Sequence, residues 1–243
     1  MHSAYGLLAL IGILGCGPRA NIPQRLQGPS DPMASDSVTM LAKRLAPVLY
    51  LQRDETFPLE RVVAVVHPTE RLVAYHLLWR DDAHGAWIPF TIPTDEEVVW
   101  VGYDSAATVT QLWTYWHGAI LYAPWRGRSR TEIDVQWGKH GSMPRGMDEN
   151  SLPALLSLDS YFIYSWLGAP DLLLGRLMRR GPSCFCRSYR RYRQFTRPID
   201  TAERLDVVVR VIDASEILGR VFGVPYSRKP AWPPGVPGSS YPR

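Results

Sequence analysis

Apolar and polar positions alternate with a period of two in several stretches of the chain. From Glu132 to Trp137, Ile133, Val135 and Trp137 fall on one side and Glu132, Asp134 and Gln136 on the other. That is the pattern of a half-buried strand. Other strand-like runs, at Pro47–Leu51, Arg61–His67, Leu72–Trp79, Glu97–Tyr103 and Thr108–Trp116, are rich in Val, Leu, Tyr and Trp. Such side chains suit a pleated surface. Turn signals separate them, among them His67-Pro68, Asp82-Ala83-His84-Gly85 and Gly127-Arg128. The spacing predicts a mainly β fold, an antiparallel β-sandwich.

The period changes after Ser151. Leu155, Leu158, Phe162 and Trp166 recur at helical spacing, and Asp171 to Met178 reads as a second helix. Leu205–Asp213 reads as a late strand and Ala214–Phe222 as a short helix, so the sandwich gains a helical C-terminal extension. Near the other end, Asp36 or Ser37 caps a short helix that runs to Leu45 and stops at Pro47.

The N-terminus sets the compartment. The apolar run Tyr5 to Leu14 is too short to span a bilayer core of about 30 Å as a helix, but it has the length of a signal-peptide core. Ile13-Leu14-Gly15-Cys16 resembles a bacterial lipobox, with a small residue at the cut and a thiol to carry the lipid. The resemblance departs at Leu14, bulkier than usual there, and no Lys or Arg precedes the run. These features imply export and a membrane anchor at Cys16 on the periplasmic or extracellular side. Residues 1–15 then form the signal peptide and residues 16–36, rich in Pro, Gly, Ser and Gln, a flexible tether. Residues 37–228 form a single β-rich domain, and residues 229–243 a loose Pro/Gly/Ser tail. At 243 residues the chain has room for one such domain with a real core.

A net charge of +4 is mild, but it is unevenly spread. No acidic residue lies between Asp171 and Asp200, where eight arginines are interleaved with Tyr189, Tyr192 and Phe195. On an exported protein this run argues against nucleic acid as the partner. Arg187, Arg190, Arg191 and Arg193 suit an anionic surface such as lipid headgroups. A solvated arginine face packed on aromatic rings is the plainer alternative. Cys184 and Cys186 are too close for an easy disulfide and lack the second pair of a structural zinc site.

Four patches carry the candidate chemistry: Tyr75–Gly85, Thr94–Val101, Thr114–Gly118 and the segment Gly138-Lys139-His140-Gly141. Each sets acids or histidines at a strand end. Carboxylates with one or two imidazoles suit Ca²⁺, Mg²⁺ or Mn²⁺ better than Zn²⁺. Asp95 and Glu97, two apart on a strand, share a face. Individually, each acid is equally at home as a turn or surface residue. No compact metal signature and no Gly-x-Ser-x-Gly elbow is present.

Leu45 to Pro58, LAPVLYLQRDETFP, resembles the opening of the vacuolar protein sorting 62 family, which is similar in strand order to the necrosis-inducing proteins. In this chain YHLLWRDD stands where those proteins have an aromatic strand. Asp95-Glu96-Glu97 stands for their Asp-Trp-Glu, with Glu96 in place of the tryptophan, and QWGKHG supplies their His-Gly. The resemblance covers residues 45–143. It implies a β-sandwich whose mouth holds a divalent cation, with Asp82, Asp95 and Glu97 as ligands and His140 nearby, used to engage membrane glycolipids. The glycines around His140 would free the loop to turn the imidazole towards the acids. The expected function is cation-dependent binding of a glycan or lipid headgroup. The rivals are a metal-assisted hydrolase acting on an envelope polymer or lipid, and a structural envelope lipoprotein.

Overall fold

The run Leu72–Trp79 contains no alternation because its strand is covered on both faces. The computed structural model describes residues 34–53, 55, 57–80, 95–126, 130–136, 140–147, 195–223 and 229–239. Within them lie the helix α1 (Asp36–Leu45) and the strands β1 (Val48–Gln52), β2 (Leu59–Val66), β3 (Leu72–Trp79), β4 (Asp95–Tyr103) and β5 (Val109–Trp116). Next come β6 (Ala119–Pro124), β7 (Glu132–Val135), β8 (Ser142–Pro144) and β9 (Phe195–Asp200), then β10 (Leu205–Arg210) and the helix α2 (Ser215–Phe222). The helices expected over residues 151–178 lie outside the described residues, as do Cys16, Cys184 and Cys186.

Two sheets form. The larger runs in the order β10-β2-β3-β4-β5-β6 and the smaller β8-β7-β1-β9. They are mixed, where the strand spacing predicts purely antiparallel sheets. β1 pairs parallel with β7, and β10 parallel with β2. Both parallel pairs join strands far apart in sequence, where no hairpin dictates direction.

The inner core lies between the sheets. Leu49, Leu51, Ile133 and Val135 of the smaller sheet meet Val62, Ala64, Tyr75, Leu77, Val99 and Val101 of the larger one. The Tyr75 hydroxyl donates to the Ala42 carbonyl at 2.7 Å, which fixes α1 against this core. A second core covers the opposite face of the larger sheet, where Val63, Val65, Ala74, Val98 and Trp100 pack against Ile217, Leu218 and Phe222 of α2 and against Trp232. Sheets covered on both faces read as continuous apolar runs. β7 faces the core on one side only, and so keeps its alternation: Ile133 and Val135 are buried, Glu132 and Asp134 half-buried.

Residues 229–239, expected as a loose tail, are packed in the structure. The Trp232 indole is buried and donates to the Ile212 carbonyl at 2.7 Å, and Trp100 donates to Ala231 at 2.9 Å. The segment is a strap across the outer face of the larger sheet. At the edge of the smaller sheet, Arg130 clamps Asp200 with two hydrogen bonds and donates a third to the Ala46 carbonyl at 2.6 Å. That triple contact ties the entry of β7, the end of α1 and the end of β9 together.

Candidate functional site

The described parts of all four chemical patches meet at one end of the sandwich. β4 starts there with Asp95, paired in register with Trp79 at the end of β3. β7 and β8 are joined there by a loop that carries His140, closed by the His140 amide donating to Gln136 at 3.0 Å and the Gln136 amide to Gly141 at 2.9 Å. The β5–β6 turn brings His117, whose Nε2 donates to Gln136 Oε1.

His140 is fully buried and is the hub. Its Nδ1 donates to Asp95 Oδ2 at 2.9 Å. Its Nε2 faces Glu55 Oε1 at 3.8 Å, a charge contact beyond hydrogen-bonding reach. The imidazole lies flat on the Trp79 indole, with centroids 4.1 Å apart, and meets the edge of Phe57 at 6.1 Å. Burial pulls the imidazole's pKa down, but the hydrogen bond to Asp95 and then Glu55 outweigh it and raise it to about 9. At neutral pH His140 is therefore an imidazolium held between two carboxylates. Asp95 is its outward partner, with 18% of its side chain exposed.

Glu97 has a different partner. Lys229, from the C-terminal strap, places its ammonium 3.0 Å from Glu97 Oε1 and 5.2 Å from the centroid of the Tyr115 ring. Burial pushes the Glu97 carboxyl up, and the Lys229 ammonium beside it pulls it back down. Burial also pulls on Lys229, but Glu97 and Asp95 hold its ammonium above the usual lysine range. Among the described residues, His140 Nε2, Glu97 Oε2 and the Trp79 indole nitrogen are buried without a hydrogen-bond partner.

The divalent-cation set expected from the resemblance is Asp82, Asp95, Glu97 and His140. Asp82 lies outside the described residues, as do Asp81 and His84. The other three come together and have partners within the chain: Asp95 accepts from His140 Nδ1 at 2.9 Å, and Glu97 faces the Lys229 ammonium at 3.0 Å. Among the described residues no group of three or more His, Cys, Asp or Glu side chains is placed to hold an ion. Arg187, Arg190, Arg191 and Arg193 lie outside the described residues. Arg197, from the same run, is in β9 and donates to the Glu55 carbonyl at 3.2 Å. Glu55 and Lys229 are the members of the site that the sequence analysis did not single out, and Trp79 entered it only as part of the aromatic strand. Glu55 does lie within the LAPVLYLQRDETFP stretch.

Solved structures of necrosis-inducing proteins are similar to this chain. NLPPya in complex with mannosamine is 15% identical, with a TM-score of 0.35 over 48% of this chain and 72% of that one. NLPPya in complex with glucosamine is 16% identical, with a TM-score of 0.34 over 49% and 73%. Necrosis and ethylene inducing protein 2, from the causal agent of cocoa's witches' broom disease, is 11% identical, with a TM-score of 0.36 over 64% and 95%. No protein-family model and no curated protein matches the sequence.

The glycine after His140 acts through space. His140 itself takes the left-handed backbone, at φ 51°, and His117 does the same at 46°. Histidine is among the few side-chain-bearing residues enriched there. A Cβ on Gly141 would lie 2.9 Å from both His117 Nε2 and Trp116 Cε3. Gly141→Ala should therefore cost roughly 1–3 kcal/mol, because it overpacks a closed site. Urea unfolding would measure this, and a loss below about 0.5 kcal/mol, the range of an ordinary surface change, would rule out the close approach.

A separate concavity of about 450 Å³ sits at the far end of β4, lined by Arg71, Tyr103, Gln111 and Trp113 among others. It shares no residue with the His140 cluster.

Proposed function

We propose that the chain is an exported, lipid-anchored protein that binds a glycan or a lipid headgroup at the sandwich end carrying Asp95. The observation that carries this reading is a partly exposed carboxylate clamped from behind by a fully buried imidazolium. Such a carboxylate is fixed in position. It can accept hydrogen bonds from paired hydroxyls or an amine without first being ordered, which lowers the cost of binding. Anchoring at Cys16 would hold the domain near headgroups, and the arginine run would favour anionic ones.

Catalysis is the weaker reading. A general base must be free to take a proton near neutral pH. His140 already carries its proton, raised to about 9, and both its nitrogens face carboxylates. Ser142, the nearest hydroxyl in sequence, donates to His140's own carbonyl at 3.4 Å. The pair is therefore not arranged as nucleophile and base.

Two measurements test the proposal. Palmitate labelling in a bacterial host should mark the parent and not Cys16→Ala, and equal labelling would remove the anchor. Flotation of the purified chain with vesicles of neutral, anionic and sugar-bearing lipids, beside a glycan array, should find binding that Asp95→Asn weakens about tenfold or more, the loss of one charge-assisted contact. Binding unchanged by that substitution would move the site elsewhere. No binding to any probe would leave the cluster as a structural clamp in a structural envelope protein.

A further inference from the structure

Carboxylates at Asp95 and Glu97 ask for a cation, and the chain brings one of its own. We propose that the Lys229 ammonium stands in the place of a divalent ion as the resident counter-charge of the Asp95–Glu97 pair, so that this end of the sandwich is cation-independent. The inference goes beyond the binding reading and does not use it.

Geometry carries it. The ammonium is 3.0 Å from Glu97 Oε1, and the two side chains are only 12% and 7% exposed. Asp95 and Glu97 share a strand parity, and Asp95 is already engaged by His140. Each acid thus has a cationic partner. A magnesium or calcium ion needs about six oxygen ligands, whereas an ammonium is satisfied by a few acceptors and a ring face. To enter, a metal would have to expel a buried lysine.

The strap C-terminal to the lysine also holds it in place. It is pinned by the Trp100 hydrogen bond to Ala231 and the Trp232 hydrogen bond to Ile212. His67 packs edge-on against Trp232, with centroids 4.7 Å apart, and its Nε2 lies 3.1 Å from the Pro237 carbonyl. Gly238, at φ 82°, closes against Ile212, where a Cβ would come within 2.7 Å of the side chain. A segment rich in Pro and Gly is thereby made rigid enough to deliver one charge to one carboxylate.

The test is thermal unfolding of the full chain in detergent. It is run after EDTA treatment and again with millimolar Mg²⁺, Ca²⁺ or Mn²⁺. The parent should show the same Tm throughout. Lys229→Met keeps the stem and removes the charge. It should unfold roughly 5–10 °C lower and recover part of that loss when a divalent ion is added. Lys229→Met with Glu97→Gln should be more stable than Lys229→Met alone and indifferent to ions. The double variant also keeps the proposal falsifiable if the single one fails to fold. A parent that loses Tm with EDTA overturns the proposal. So does a Lys229→Met that ignores every ion, or a double variant no more stable than the single one. No glycan or headgroup enters the experiment, so its failure is separable from failure of the binding reading.

Discussion

His140→Ala should unfold at markedly lower urea than the parent, with a loss of about 3–5 kcal/mol, the range for removing one partner of a buried charged pair. The size comes from the groups left behind. Asp95 loses its donor at 2.9 Å, and Glu55, whose side chain is 1% exposed, loses the positive charge that faces its carboxylate at 3.8 Å. The Trp79 indole loses a ring stacked at 4.1 Å and faces a cavity. Alanine must also adopt the left-handed backbone at φ 51°, which histidine tolerates better. His140→Gly separates these causes: it relieves the backbone but still lacks the ring between the two acids, so it should recover only the smaller part of the loss. A loss below about 1 kcal/mol in His140→Ala would mean that the carboxylates are not held by the imidazolium, and the binding proposal would lose its support.

Much of this site is legible in the sequence. Strand parity and the Gly-Lys-His-Gly segment point to Asp95, Glu97 and His140, and the structure does bring them together. The pattern does not contain their pairing. An acid two residues from another acid looks like half of an ion cage until the partner of each is known. Those partners come from elsewhere in the chain: Glu55 from just beyond β1, and Lys229 from the C-terminal strap. Lys229 is the hardest to see, because Pro and Gly around it signal a flexible tail. The signal that points the other way is Trp232. A tryptophan in a tail must bury its ring or leave it exposed, and here it buries against the outer face of the larger sheet.

The fold divides along similar lines. β2 to β5 are legible because they are long, apolar and linked in sequence. β6, β8 and β9 are not. β8 has three residues, while β6 ends at Pro124 and β9 contains Pro198. Proline belongs on edge strands, and β6, β8 and β9 all lie at sheet edges. The parallel pairs are hidden for a different reason. Nothing local to β1 says that its neighbour is β7, since direction is chosen by the common core into which Leu49 and Ile133 both point.

Stability should fall steadily as pH rises from about 6.5 to 9. His140 sets the sign. Its proton is held to about 9 in the fold and to about 6.5 when unfolded, so the folded state binds more protons across that window. The contribution is complete below 6.5 and gone above 9, and amounts to about 3 kcal/mol in all. His76 acts in the opposite direction but lower down. Burial depresses it to about 3, so its stabilisation is lost as pH falls from 6.5 towards 3 and is constant above 6.5. The two together place the stability maximum near pH 6.5, with a falling slope beyond it. Urea unfolding at half-unit steps from about pH 5.5 to 9.5 would measure this slope, and His140→Gly should flatten it. A parent curve that is level or rising between about 6.5 and 9 would show that the imidazole is neutral in the fold. His140 would then be available as a base, and the hydrolase reading would move ahead of the binding one.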